Sequence, residues 1–457
     1  MRRTLYLSFF AVFFIVGAAL LFYLQGYRYN QDKGKIERTG ALVVETIPEG
    51  ASVRVNEEQK NGQTPLALQS LQAGDYDVSV EQSGFQPWKK RLNVKPSRVT
   101  FTGKIRLWEP QHTGDRTANT ADADTFLSPN GEHLLYRVRG GLSAGLWLMN
   151  LSSGKTILLS RPSAGANASL IWSPSSRQIL SFNANDNQVG EPEIYDLADA
   201  TWDTIDLPNS LTPKFVRWGE DDHLLYAATT DELYQWNRRT KSIRLVWRQP
   251  LIDFRIHDEL IFALTRGQGG TTQLTILNQS NLQVVPLEQP PQLAERASFL
   301  EANGEWLPLL DEDRHSLYLL HSPLTELAPV RKIPNVLSID WDSDGERLLL
   351  TNNIEIWEYR IADDKLSLRE RVGESLTKSR FFGQEPYLIS ASGTKVWALE
   401  LDDRGERQRW LLAEYDTPVE DLFLDEKNRI LTVETTGGFY RITLRRESDG
   451  VLPKVRL

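Results

Sequence analysis

The sequence predicts an all-β protein: a single N-terminal transmembrane helix, a small β-sandwich, then an eight-bladed β-propeller. Three observations predict it. Short runs of alternating apolar and polar residues, broken by Pro, Gly and Asn, fill the chain from residue 41 onward. From residue 125 these runs repeat about every 40 residues, with several short strands per unit, the spacing of propeller blades. Ahead of both lies one uninterrupted apolar segment.

That segment, residues 5–24 (LYLSFFAVFFIVGAALLFYL), holds no charge and has the length needed to cross a hydrocarbon core of ~30 Å. Arg2 and Arg3 precede it, so the positive-inside rule keeps residues 1–4 in the cytoplasm and exports the rest. Arg28, Lys33 and Lys35 weaken that bias without reversing it, and Tyr6, Tyr23, Tyr27 and Tyr29 fall near the two interfaces. Gly17-Ala18-Ala19 has the small residues of a signal cleavage site, but LLFYL continues past it. An uncleaved anchor is therefore expected, with residues 25–40 as a juxtamembrane linker. The expected location is the cell membrane, single-pass, with the bulk of the chain extracytoplasmic.

Residues 41–108 alternate in short runs (ALVVETI, ASVRVN, LALQSL, YDVSVEQ, RLNVK) that read as an antiparallel unit with one buried face. Pro48-Glu49-Gly50-Ala51, then Gly62-Gln63-Thr64-Pro65-Leu66 and LQAGDYDVSVEQSGFQPW (71–88), resemble a PEGA domain. The resemblance implies an envelope-associated β-sandwich without catalytic residues, serving as a spacer or as a polysaccharide-binding module. Asn56-Glu57 stands where that family usually has Asp-Gly, so a looser hairpin is expected there.

Residues 109–124 are polar and read as a linker, and residues 125–457 as the propeller. Second strands of the units begin near residues 133, 178, 223, 259, 305, 347, 386 and 429. Each is followed by a third strand, from LWLMNL (146–151) to GFYRITL (438–444), and by a fourth, ending in PKVRL (453–457). With that last strand in place, ring closure need not borrow one from elsewhere. Seven blades remain the alternative if one unit packs outside the ring. FLSPNGEHLLYR and IDWDSDGERLLLT, each followed by a Trp-bearing third strand, resemble the WD-like repeats of TolB-type propellers. Trp147, Trp172, Trp218, Trp341, Trp357 and Trp397 are expected to pack between blades.

Composition removes whole classes of chemistry. With no cysteine among 457 residues, disulfides, iron–sulfur clusters, Cys-based zinc sites and Cys nucleophiles are excluded. The net charge of -9 is polarised: +4 over residues 1–40, +2 over 41–108 and -15 beyond. That balance argues against nucleic acid as a partner. Gly141-Leu142-Ser143-Ala144-Gly145 fits a nucleophile-elbow string, but strands flank it where the elbow needs a helix. Ser152-Ser153-Gly154-Lys155 falls in a turn between strands, and Met149 stands where a phosphate loop needs glycine. Arg266-Gly267-Gln268-Gly269-Gly270 reads as a hairpin loop. The six His (112, 133, 223, 257, 315, 321) show no ligand spacing. Asp342–Glu346 lacks the outer ligands of a calcium loop, and Asp311-Glu312-Asp313 and Asp221-Asp222 read as solvated turns.

The sequence therefore assigns no catalytic, cofactor-binding or metal-binding residue and expects no cofactor. Prolyl-oligopeptidase-like enzymes append a hydrolase domain to a propeller, and the chain ends with the last blade at Leu457. The expected function is non-catalytic: binding or scaffolding an envelope protein or a cell-wall or surface polysaccharide. The alternative is an envelope enzyme acting on glycans or peptides through acidic propeller loops. The specific binding residues stay unassigned. Loops 160–168, 183–192, 266–271 and 289–296, on the face of the strand 2–3 and 4–1 connections, are the candidate surface because they are long and polar.

Overall fold

The computed structural model describes residues 2–30, 34–118, 123–160, 168–182, 184–185, 188–189, 191–205, 207, 211, 213–287, 289–321 and 330–444. An α-helix spans Arg2–Leu24. Its segment Tyr6–Leu24 is long and apolar enough to cross a membrane and buries none of its surface in the protein. The helix stops where Gly26 adopts φ +83° and donates its amide to Tyr23 O, a carbonyl that also accepts from Arg28 Nη1 at 2.7 Å. Residues 25–40, expected as linker, contain a hairpin of Tyr27–Asn30 and Lys35–Arg38.

The β-sandwich stacks a three-stranded sheet (Leu66–Leu71, Gly40–Ile47, Val99–Arg106) on a four-stranded one (Glu58–Gln63, Ser52–Val55, Gly74–Glu81, Trp88–Val94). Alternation drives it: Leu42 and Val44 from one sheet, and Val53, Val55, Val78, Val80, Trp88, Leu92 and Val94 from the other, share one core. Thr64 Oγ1 accepts from Ala51 N at 2.9 Å and pairs with Thr46 Oγ1, which holds the 48–51 turn in place. The hairpin at Asn56-Glu57 is tight, not loose. Both residues are left-handed (φ 50° and 67°), as a two-residue type I′ turn requires, and Val55 pairs directly with Glu58.

Eight sheets form the propeller. Blade 1 is Ala123–Leu127, His133–Val138, Gly145–Asn150 and Thr156–Ser160; blade 2 is Ser169–Trp172, Gln178–Phe182, Glu193–Asp196 and Thr201–Thr204. Blade 3 is Phe215–Trp218, Leu224–Ala228, Leu233–Asn237 and Ser242–Trp247; blade 4 is Asp253–His257, Leu260–Arg266 and Thr272–Asn278. Blade 5 is Ala297–Phe299, Trp306–Asp311, Ser316–His321 and Arg331–Pro334; blade 6 is Ser338–Trp341, Arg347–Thr351, Glu355–Arg360 and Lys365–Arg371. Blade 7 is Leu376–Phe381, Tyr387–Ser392, Lys395–Glu400 and Arg409–Glu414; blade 8 takes Val419–Asp425, Ile430–Thr435 and Gly438–Thr443 from the C-terminal region.

Two expectations fail. Blade 8 does borrow a strand: Asp115–Ala118, read as linker, pairs with Gly438–Thr443, while residues 453–457 lie outside the described residues. The borrowed strand is outermost and wet, so it carries no apolar alternation to read. Among the described residues blade 4 shows no regular fourth strand. Only isolated bridges Leu277↔Val284 and Thr272↔Leu293 cover its edge, because Pro286, Pro290 and Pro291 have no N–H to extend a ladder.

Each pair of neighbouring blades shares its own apolar cluster around the whole ring, down to Phe423 and Phe439 of blade 8 against Leu134 and Tyr136 of blade 1. The expected packing of Trp between blades holds: Trp172, Trp218 and Trp397 belong to clusters between blades, and Trp147, Trp341 and Trp357 pack against such clusters. Trp172, Trp218 and Trp341 donate Nε1 to Phe126 O, Ile171 O and Glu301 O of the preceding blade, at 3.0–3.1 Å.

The cluster between blades 7 and 8 continues without a break into the β-sandwich. Trp108 packs edge-on against Phe382 (5.3 Å) and Tyr387 (5.6 Å). Lys90 Nζ, its side chain fully buried, donates to Glu400 Oε2 at 2.7 Å, and Trp88 Nε1 donates to Glu400 Oε1 at 3.0 Å. Arg106 grips Glu385 with two bonds (2.6 and 2.7 Å), and Arg429 donates to the same carboxylate at 2.7 Å. The sandwich is thus a fixed part of the propeller body rather than a free spacer.

Candidate functional site

The sandwich docks on the blade face formed by the strand 1–2 and 3–4 turns: Phe382 and Glu385 lie in the 1–2 turn of blade 7, and Glu400 ends its third strand. On blades 1–3 the same face is open and hollow. A groove of about 2080 Å³ runs over their 1–2 turns (Asn130 to His133, Pro174 to Gln178, Glu220 to His223) and the 3–4 turns of blades 2 and 3 (Asp196 to Asp199, Arg238 to Lys241).

Local sequence makes these turns stiff. Ser128 Oγ accepts from His133 N at 2.9 Å, and Ser173 Oγ from Gln178 N at 3.1 Å, closing each Ser-Pro turn on itself. Asp221 Oδ1 does the same work in blade 3, accepting from His223 N (2.8 Å) and Leu224 N (2.9 Å). Neighbouring turns are stitched together: Asn130 N donates to Ser176 Oγ at 3.0 Å, and Ser175 bonds through N and Oγ to Asp222.

The floor is a polar relay. Gln178 Nε2 donates to Asp196 Oδ2 at 2.7 Å, and Gln178 Oε1 accepts from Arg238 Nη1 at 2.9 Å. Arg238 also bonds Asp222 O at 2.9 Å and stacks over the Trp218 ring. Burial holds the Arg238 pKa below its usual value despite Asp222, Asp196 and Asp203. The Gln178 bond and the amides of Ala198 and Asp199 keep Asp196 ionised, below the usual carboxylate range. Burial also depresses His133, so its ring is neutral at physiological pH. Seven carboxylates against four cations line the groove, and Glu132, Asp199, Asp203, Glu220 and Asp221 stand exposed. Several of these groups, Asp196, Asp221 and Asp222 among them, are bonded into the turns that carry them.

Of the loops singled out from sequence, 266–271 and 289–296 are on the other face. Residues 161–167, 183, 186, 187 and 190 lie outside the described residues. Loops 266–271 and 289–296 do meet, through Arg266 Nη1 and Glu295 Oε1 (3.1 Å) and Thr272 N to Ala294 O (2.9 Å), closing the edge of blade 4. The catalytic-looking strings are structural. Ser143 O accepts from Trp147 Nε1 in a strand–turn–strand, and Asn150 Oδ1 caps Ser152 and Ser153. Asp342 accepts from Arg347 N and Nε, and Asp311 from Ala294 N and Arg314 N. Among the described residues no set of three or more His, Asp or Glu is arranged to hold a metal ion. Sequence reasoning missed the groove, although its Ser-Pro turns at 128 and 173 and the acidic turn at 220–222 recur at blade spacing.

Residues 39–107 match the PEGA domain family, and the chain carries a PEGA domain there. No curated protein sequence matches the chain. Among solved structures it is similar to the C-terminal WD40 domain of Sif2 (13% identity, TM-score 0.49, 74% of this chain and 99% of that one). It is also similar to the Dos1 propeller (11% identity, TM-score 0.48, covering 73% and 94%). A third is dipeptidyl peptidase 4 of Porphyromonas gingivalis (10% identity, TM-score 0.47, covering 70% and 56%). Domain and fold together define a surface or binding module: a PEGA domain joined to a β-propeller.

Proposed function

We propose that this chain is a membrane-anchored, externally displayed scaffold that holds an envelope protein or surface polymer, without chemistry, in the groove on blades 1–3. The observation that carries the reading is the groove itself: a wide concavity built from mutually bonded turns, on the face whose opposite side is occupied by the PEGA domain. The apolar helix is read as an anchor rather than a cleaved signal because its apolar run continues unbroken from Gly17-Ala18-Ala19 to Leu24. Photocrosslinking in the native membrane tests this. A crosslinker at Asp203 in the groove is expected to trap a discrete adduct that one at Lys214, outside the groove lining, does not. Equal labelling from both positions, or none from the groove, overturns the reading.

A further inference from the structure

Alternate residues of the innermost strands face the propeller axis, and Phe254, buried between blades, fixes the phase that turns Asp253, Arg255 and His257 inward. Charges around the axis are mostly matched. Arg380 pairs with Asp340 (2.7 Å) and Asp421 (3.7 Å), Arg137 with Asp124 (2.7 Å) and Arg217 with Asp253 (2.6 Å).

Arg255 is the exception. No acceptor lies within hydrogen-bond or ion-pair distance of its guanidinium among the described residues, since Asp253 already serves Arg217 and Phe254 N. Burial, then the like charge of Arg217, depress its pKa, and Asp253 and Glu301 do not compensate. Two nitrogens nearby are buried without partners: Arg217 Nε and His257 Nε2, the latter with Asp258 Oδ2 at 3.5 Å but no hydrogen bond. Arg217, Arg255 and His257 border one cavity of about 580 Å³, walled by Trp172, Trp218 and Ala302. The carboxylates at its rim are otherwise engaged or solvated: Glu220 Oε1 accepts from Glu259 N (2.7 Å) and Gln279 Nε2 (3.0 Å), while Asp258 and Glu259 are exposed turn residues.

A half-buried guanidinium with no carboxylate partner, set beside a second one at a cavity wall, is a ready site for an anion, and a planar oxyanion matches its fork with two parallel bonds. We infer that the channel mouth between blades 3 and 4 is a binding site for an oxyanion, a carboxylate or phosphate group, held chiefly by Arg255 with Arg217 and His257 beside it. The cavity adjoins the groove at Pro174 and Glu220, so a partner lying in the groove reaches it with an acidic group. The site does not depend on that partner.

The test uses the full chain in detergent, titrated by calorimetry with inorganic phosphate, glutarate and the neutral isostere glutaramide. One saturable site for phosphate or glutarate is expected, and none for glutaramide; which of the two binds tells phosphate from carboxylate. Arg255→Gln should weaken binding roughly ten- to a hundredfold, with Arg255→Lys between. Without ligand, Arg255→Gln should melt at the same or a higher temperature than the parent chain, since it removes an uncompensated charge. Unchanged affinity in Arg255→Gln, absence of saturable binding to both oxyanions, or a lowered melting temperature each overturns the assignment.

Discussion

The joint between PEGA domain and propeller makes the sharpest energetic prediction. Replacing Lys90 with Met leaves the Glu400 carboxylate buried, keeping only the Trp88 Nε1 bond at 3.0 Å and a long one from Gln408 N at 3.4 Å. Breaking one side of a buried pair costs about 3–5 kcal/mol, most of it the stranded charge. Glu400→Gln strands less, because Lys90 still reaches Asp402 Oδ2 at 3.3 Å and Asp402 O at 2.9 Å; roughly 1–3 kcal/mol is expected. The double variant K90M/E400Q removes both charges and should recover to within ~1–2 kcal/mol of the parent chain. Denaturant unfolding of the full chain in detergent, read as a double-mutant cycle, measures the coupling. If the two single losses simply add in the double variant, the pair is not coupled and the reasoning fails.

Glu57→Gly should stabilise the PEGA domain by about 1 kcal/mol, since glycine relieves the left-handed φ of 67°; a loss in thermal unfolding would contradict the turn assignment. Gly438→Ala places a Cβ 2.4 Å from Ala118 O and should cost ~2–4 kcal/mol by prising the closing strand from blade 8, whereas Gly140→Ala, which meets nothing within 4 Å, should change stability by under ~0.5 kcal/mol. Glu434 is pushed up to about 8 by burial and then by the charges of Asp421, Glu420 and Asp124, with Thr125 Oγ1 donating to it at 3.2 Å. The folded state therefore holds a proton that the unfolded chain releases near its ordinary carboxyl pKa, so this contribution is full in acid and lost as pH rises from about 4.5 to about 8. The ceiling is ~5 kcal/mol at about 1.4 kcal/mol per unit, and Glu434→Gln should flatten that slope in melting curves taken across the window.

Buried second and third strands were legible in the sequence because every position counts toward the pattern: Tyr387–Ser392 and Ile430–Thr435 are buried throughout. The outermost strand that closes the ring was not, because water takes the place of a packing partner there. Asp115–Ala118 shows no buried position, and closure was accordingly misplaced. The groove was invisible for another reason. Its walls come from turns about one blade apart in sequence, and only the curvature of the ring brings them side by side. The docked PEGA domain did leave one trace. In Trp88–Val94 the buried phase is Trp88, Lys90, Leu92 and Val94, and a lysine in an apolar phase requires a buried acceptor. The alternation names the need, but nothing local points to Glu400, 310 residues away.

Those buried charges also bear on why the two domains are joined as they are. A pure spacer needs only apolar contact, which would stabilise the joint at least as well, since desolvating ion pairs offsets most of their attraction. What Lys90–Glu400 and the Arg106–Glu385–Arg429 cluster add is rejection of every other docking angle, because any shift strands a charge. The interface is therefore built to fix orientation. With the PEGA domain locked onto blades 7 and 8, the groove on blades 1–3 is held at one set angle to the PEGA domain. The proposed scaffold role would use that fixed angle, which a flexible tether between the two domains would not supply.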